Sequence, residues 1–289
     1  MPNWSISVLG DSSLHFSGSG RCELPASGWS LIGLLLCRPG HRANRAQLAA
    51  ALWPDKDENG ARHCLATTLW RFKQASRHRA APVVTEGDTL RLPPNAWIDS
   101  EAFALRVMRA RDQRNSVTRP GRAKLLRAGL RLYRGHFLGE SFAEWALLER
   151  ERLACLRLDA LYDLATIEAE DGNWEAAVGA ARLLCAIEPL REDGHRLLMK
   201  AYAATGNRAL ALQQYRRCIE VLGRELAVDP MPETTALARA LADARPPAPP
   251  PIRQVGSALT ALVATRATLV EAIGSIDAAI RASKPEPVP

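Results

Sequence analysis

The stretch Asp171-Gly172-Asn173-Trp174-Glu175-Ala176-Ala177 is echoed by Thr205-Gly206-Asn207-Arg208-Ala209-Leu210-Ala211, thirty-four residues further on. That spacing is the period of tetratricopeptide-type helix pairs. Gly172 and Gly206 permit the tight turn within each pair. Ala177 and Ala211 let the two helices approach closely, and Ala165 is the small residue the first repeat needs. Met199, at the equivalent place in the second repeat, departs from the pattern. Pro189 ends the first pair. No proline stands at the matching place in the second, so its last helix is expected to run on to Leu226. From about Arg122 to Leu241 the pattern is helical throughout. Stacked helix pairs present a binding surface and do no chemistry themselves.

Upstream of the repeats the period is different. Trp4, Ile6 and Val8 alternate with Ser5 and Ser7 as a half-buried strand does. Gly10-Asp11 marks a turn, and Leu14 to Phe16 and Cys22 to Leu24 give two further short strands. The pattern then turns helical. Ser27 is read as the cap of a first helix through Trp29, Ile32, Leu35 and Leu36, stopped by Pro39-Gly40. A second runs from about Arg45 to Leu52 and stops before Pro54. A third starts near Asp57 and continues to about Arg77. Val83 to Thr85 and Thr89 to Leu92 flank Glu86-Gly87-Asp88 as a hairpin. Strands, three helices and a hairpin, in that order, describe a winged helix-turn-helix. The fold class is therefore mainly α: an N-terminal winged helix, an all-α repeat domain and a C-terminal amphipathic helix.

The third helix carries the candidate site. Ala61, Leu65, Thr68, Leu69 and Phe72 fall on one side and read as core. At ~100° per residue the other side presents His63, Thr67, Trp70 and Gln74, flanked by Arg62, Arg71 and Lys73. Hydrogen-bonding groups and cations on one face suit base edges and phosphates. In this reading His63, Thr67, Trp70 and Gln74 read bases. Arg71 reaches a guanine or a phosphate. Arg62, Lys73, Arg77 and Arg91 of the wing hold the backbone, and Arg45, early in the second helix, adds a phosphate contact. A plain amphipathic surface helix, with Trp70 packed on the repeats, is the alternative.

The net charge of +7 is unevenly spread. Residues 104–134 hold ten basic residues and one acidic, whereas 135–245 hold thirteen basic and eighteen acidic. A basic block beside an acidic domain suits contact with a polyanion; alternatively it is a solvated helix that touches nothing. A composition of 289 residues, 47% hydrophobic and 24% charged, excludes disorder over the whole chain. The longest apolar runs, such as Leu31 to Cys37, fall well below the ~18–20 residues of a membrane span. The N-terminus shows no secretory signal, so a cytoplasmic, nucleoid-associated protein is expected. The six cysteines form no CxxC pair and read as small buried residues. No cofactor or metal is implied. No P-loop occurs and no nucleophile–base constellation is apparent. Glu149, Glu151, Asp159 and Asp163 read as surface ion pairs, so no enzyme is expected.

Specific motifs add a resemblance. Leu132-Tyr133-Arg134-Gly135-His136-Phe137-Leu138, Glu144-Trp145, Glu149-Arg150-Glu151-Arg152-Leu153, Glu188-Pro189-Leu190-Arg191-Glu192 and His195-Arg196-Leu197-Leu198-Met199 resemble the bacterial transcriptional activator domain. So do Tyr202, Gly206-Asn207, Tyr215-Arg216-Arg217, Glu225-Leu226, Asp229-Pro230 and Pro232-Glu233-Thr234. Leu52-Trp53-Pro54-Asp55, Gly60 to Leu65, Leu69-Trp70-Arg71 and Gly87 to Leu92, with Asp99 and Phe103, are similar to a winged helix of the OmpR/PhoB type. The resemblance spans roughly residues 4–243. It implies a SARP-type activator that binds repeats in double-stranded promoter DNA and recruits RNA polymerase. An adaptor whose winged helix contacts only proteins is the competing reading, favoured by the acidic wing turn at Glu86 and Asp88.

The expected organisation is a DNA-binding domain over 1–103, a helical repeat domain over 104–245, a proline-rich linker over 246–251 and an amphipathic helix over 252–283. In that last helix Val255, Leu259, Leu262, Arg266, Leu269, Ile273, Ile276 and Ile280 alternate at spacings of four and three, a heptad seam with one polar interruption. Such a stripe needs a partner. Either the helix caps the repeats, or it pairs with a second copy to make a homodimer; the stiff linker favours the second.

Overall fold

Strand β1 (Trp4–Ser7) buries Trp4 and Ile6 and leaves Ser5 and Ser7 half-covered, the alternation its sequence prescribes. It pairs antiparallel with β2 (Ser13–Phe16), with Trp4 opposite Phe16, and their rings meet edge to face at 4.8 Å. The short β3 (Arg21–Cys22) extends the sheet on the far side of β2. The computed structural model describes residues 4–17, 20–75, 81–112, 117–243 and 263–275. Met1–Leu241 pack as one unit and Ala242–Pro289 form another.

Helices α1 (Ala26–Leu36), α2 (Arg45–Leu52) and α3 (Glu58–Ala75) follow. Ser27 is not the cap of α1. The extended Pro25 holds that position, and the Ser27 hydroxyl instead donates to the Thr68 hydroxyl of α3 at 3.2 Å. Two strands escape the sequence pattern. One is β4 (Arg42–Asn44), which pairs with β6 (Thr89–Arg91), itself paired with β5 (Val84–Glu86), so the wing is a three-stranded sheet. The other is β7 (Trp97–Ile98), which lies parallel to β1. Both have only two or three residues, too few for a period to show.

Position 103 falls inside α4 (Asp99–Arg111) rather than between domains. The reason lies at the start of α4. The Asp99 carboxylate accepts the backbone N–H groups of Val8, at 2.9 Å, of Leu9, at 3.1 Å, and of Ser100, at 2.7 Å. Burial holds its carboxyl above the usual carboxylate range, and these three donors and nearby Arg134 offset only part of that rise. Chain continuity across 103 therefore anchors β1. A second strap runs beside it: Leu138 donates to the Val8 carbonyl at 2.9 Å and Gly10 to that of His136 at 3.2 Å. A Cβ at Gly135 would lie 2.9 Å from the Gly10 Cα, so this crossing requires glycine. A third join is in α1, where Gly33 sits against Leu138 and the Trp145 ring.

The rest is helical: α5 (Arg119–Leu130), α6 (Glu144–Glu170), α7 (Trp174–Ile187), α8 (Glu192–Ala204), α9 (Arg208–Leu226) and α10 (Pro232–Asp243). The repeat is present as read. Gly172 and Gly206 turn at φ +75° and +77°, and the residue after each glycine donates back into the preceding helix. Ala165, Met199, Ala177 and Ala211 are all fully buried, and α9 runs on to Leu226. Ala238 of α10 packs on Met199 and Ala211, so α10 closes the end of the second pair. Replacing Ala177 or Ala211 by leucine is expected to overpack these seams and cost ~1–3 kcal/mol each. Unchanged melting temperatures for both would contradict the repeat packing.

Part of the basic block is ion-paired within the chain. Arg111 reaches Asp159 at 2.6 Å and Asp163 at 3.0 Å, Arg119 reaches Asp171 at 3.4 Å, and Arg127 pairs with Glu168. These three of its ten basic residues face carboxylates on α6 and at its C-terminal cap. Of the cysteines, Cys185 and Cys218 are buried as expected, with burial pushing their thiols up to about 12 and about 11; Cys155 is exposed. Among the described residues of the C-terminal unit, 263–275 are helical; the remainder of the 252–283 helix lies outside them.

Candidate nucleic-acid interface

Asp57 starts α3: its carboxylate accepts the Gly60 N–H at 3.0 Å, an N-cap on a helix opening with Glu58. Ala61, Leu65, Thr68 and Phe72 are buried. Gly28 of α1 lies against the Phe72 ring, and the Thr68 hydroxyl donates to the Cys64 carbonyl at 3.0 Å. With that side fixed, the helix's rotation is set. Arg62, His63, Trp70, Arg71, Lys73 and Gln74 are exposed together on the other side. Trp70 is 60% exposed, so it is not packed on the repeats. Thr67 and Leu69 are half-buried at the shoulders of the face, one expected outside and the other inside. Arg77 lies outside the described residues.

Two of the backbone-holding candidates lie outside α3: Arg45 opens α2 and Arg91 ends β6 of the wing. The Asn44 side chain accepts from Ala46 N–H at 2.8 Å to cap α2, and Arg45 N–H donates to the Asp88 carbonyl at 2.8 Å. Arg45 is thus tied through its backbone to the hairpin turn, where Gly87 has φ +58°. Arg91 is held differently from expectation. Its Nε donates to the Glu86 carboxylate at 2.7 Å across the hairpin, so the acidic turn partly neutralises the wing's cation. Opposite Arg91 in the sheet stands Arg42, exposed on β4. Sequence reading missed Arg42 because β4 is too short to show a period; the signal available was its place just before the Asn44 cap. Arg62 also has a local partner, Glu58, one helical turn back. Arg71 is exposed on the same side of α3 as Trp70 and Gln74.

The arrangement is a helix with one buried side and one polar, cationic, aromatic side, in a domain whose small wing sheet bears two arginines. It can offer a groove of duplex DNA both donors and positive charge. Glu149 pairs with Arg152 at 2.7 Å and Asp159 and Asp163 with Arg111, so these carboxylates are ion-paired on α6. No group of metal-ligating side chains occurs among the described residues, and no described helix is long and apolar enough to cross a membrane.

Comparison with known proteins agrees with both halves. The chain is 30% identical over 239 residues to the transcriptional regulator RedD of Streptomyces coelicolor, a match covering 78% of this chain and 66% of RedD. It is 28% identical over 217 residues to the regulatory protein AfsR of the same organism, and over 215 residues to AfsR of Streptomyces griseus. Those matches cover 75% and 72% of this chain but 22% and 21% of the relatives, so the chain spans about a fifth of their length. The fold is like that of Mycobacterium tuberculosis EmbR, solved in complex with a low-affinity phosphopeptide, with a TM-score of 0.67 over 92% of this chain and 71% of that one at 21% identity. Residues 98–242 match the family described as the bacterial transcriptional activator domain, over half the chain. With a winged helix ahead of those repeats, the chain belongs to the SARP-type family of bacterial transcriptional activator domain proteins.

Proposed function

We propose that this protein is a DNA-binding transcription regulator, with α3 lying in the major groove of promoter repeats and the helical repeats offering their surface to RNA polymerase. The observation that carries the reading is the exposed face of α3, where Trp70, Arg71, Lys73 and Gln74 stand clear of the core. In this account His63, Thr67, Trp70 and Gln74 read bases. Arg62, Arg71, Lys73, Arg45 and the wing hold phosphates, with Arg42 added to the wing's share. Arg71→Ala is expected to weaken binding about equally across operator sequences and to flatten the salt slope by about 1, measured by anisotropy over a salt series. Unchanged affinity with the fold intact would remove Arg71 from the interface. The Glu86–Arg91 pair favours a second reading, an adaptor whose winged helix docks a protein. In that case footprinting on genomic DNA yields no protected site.

The heptad seam of the tail adds a partner to this account. Val263, Leu269, Val270 and Ile273 are exposed on the C-terminal helix, and α10 already fills the capping role at the end of the repeats. In this account the stripe pairs with the same helix of a second copy, and tethering two readers raises effective concentration on repeated half-sites. Deleting residues 252–289 is expected to lower the oligomeric state and to weaken two-site binding more than one-site binding. A monomer by light scattering of the full chain at micromolar concentration would contradict the pairing.

A further inference from the structure

The strap that joins β1 to the repeats leaves a cleft of about 710 Å³ between the winged helix and the loop before α6. That is within the ~300–1,000 Å³ range of small-molecule sites. Its apolar lining comes from Leu24 and Trp29, both half-buried, and from the buried Leu138. Arg21 lies at one side, its guanidinium held by the Ser12 carbonyl at 3.1 Å. Ala26, also in the lining, opens α1, a helix of eleven residues with no acidic residue in its first turn and no side-chain cap. A helix start of this kind favours negative charge. Two carboxylates, Asp11 and Glu140, also line the cleft.

The chemistry is thus divided: a cation and a helix N-terminus, two carboxylates, and an aromatic–aliphatic floor. A polyanion such as a nucleotide would be repelled by Asp11 and Glu140, and a simple cation by Arg21. We propose that the cleft binds a small zwitterion with a large apolar side chain, an α-amino acid or a close derivative. Its carboxylate would lie toward Arg21 and the start of α1, its ammonium group toward Asp11 and Glu140, and its side chain against Trp29 and Leu138.

The position of the cleft gives such a ligand a consequence. Ser27 and Gly28, between the lining residues Ala26 and Trp29, touch Thr68 and Phe72 of α3. The other wall, at Leu138, belongs to the strap that joins the winged helix to the repeats. A bound ligand bridges both walls and biases how α3 is presented, a step that rests on the DNA-binding reading above; binding itself does not.

The test is thermal unfolding of the full chain titrated with L-tryptophan, and in parallel with indole-3-propionate, which lacks the ammonium group, and tryptamine, which lacks the carboxylate. L-Tryptophan is expected to raise Tm in a saturable way, by about 3 °C at ten times its Kd. The two half-ligands should shift it less. Arg21→Gln and Glu140→Gln, both at exposed positions, should keep the Tm of the free protein and lose the shift. If none of the three compounds shifts Tm at millimolar concentration, or if both variants keep the full shift, the proposal is overturned. A shift with no change in operator affinity would keep the site and remove its coupling to DNA.

Discussion

Alanine at position 127 is expected to lower the stability of the protein by about 3 kcal/mol, the low end for breaking a buried ion pair because Arg127 itself is partly solvated. Its partner Glu168, on α6, is 1% exposed, while the Arg127 side chain is 45% exposed. The other carboxylate oxygen of Glu168 accepts from Asn173 Nδ2 at 3.1 Å, at the turn that opens the first repeat. Removing Arg127 leaves a charge in the core with one neutral donor. Adding Glu168→Gln should recover much of the loss, since a neutral amide has less to lose on burial. Denaturant unfolding of the two single variants and the double variant measures the coupling. Additive losses would show that Arg127 and Glu168 do not act as a pair. Operator affinity should be unchanged in the folded Arg127→Ala protein. Weakened DNA binding there would return the basic block to the interface.

Arg150→Ala is expected to cost a similar amount, about 3 kcal/mol, from several charge-assisted hydrogen bonds to one loop. Its Nε donates to the Phe137 carbonyl at 3.2 Å, and one Nη donates to the carbonyls of Leu138 at 2.8 Å and Ser141 at 2.9 Å. That loop carries Leu138 at φ +39° and presents it to Gly33 of α1, so the fork holds the join between the two halves. Lysine at 150 has a single ammonium and cannot span three carbonyls from one plane, so Arg150→Lys should rescue little. Full stability in the lysine variant would show that charge alone suffices.

The elements that were legible in the sequence are those with a period. The 34-residue echo located the repeat turns and the buried Ala177 and Ala211, and the alternation at Trp4, Ile6 and Val8 located the first strand. The exposed face of α3 followed from 3.6-residue spacing, because the apolar residues fix the rotation. What stayed hidden was tertiary. Two- and three-residue strands carry no pattern, so β4 and with it Arg42 went unseen. Asp99 reads as a helix start, but nothing local says that its carboxylate binds Val8 and Leu9, so the boundary at 103 cut an anchored helix. The internal pairing of part of the basic block was hidden for the same reason. A count of arginines shows an excess, but only folding shows that Arg111, Arg119 and Arg127 face the carboxylates of α6.

The central claim is that the exposed face of α3 and the wing meet DNA phosphates, and the salt dependence of operator binding tests it most directly. With log Kobs falling by roughly 0.9 per phosphate neutralised, the cations at positions 42, 45, 62, 71 and 73 predict a slope of about −4.5 against log salt. Arg71→Ala with Lys73→Ala should make it shallower by up to about 2. A slope near zero in the full chain, or a steep one that the double variant leaves unchanged, would contradict the account.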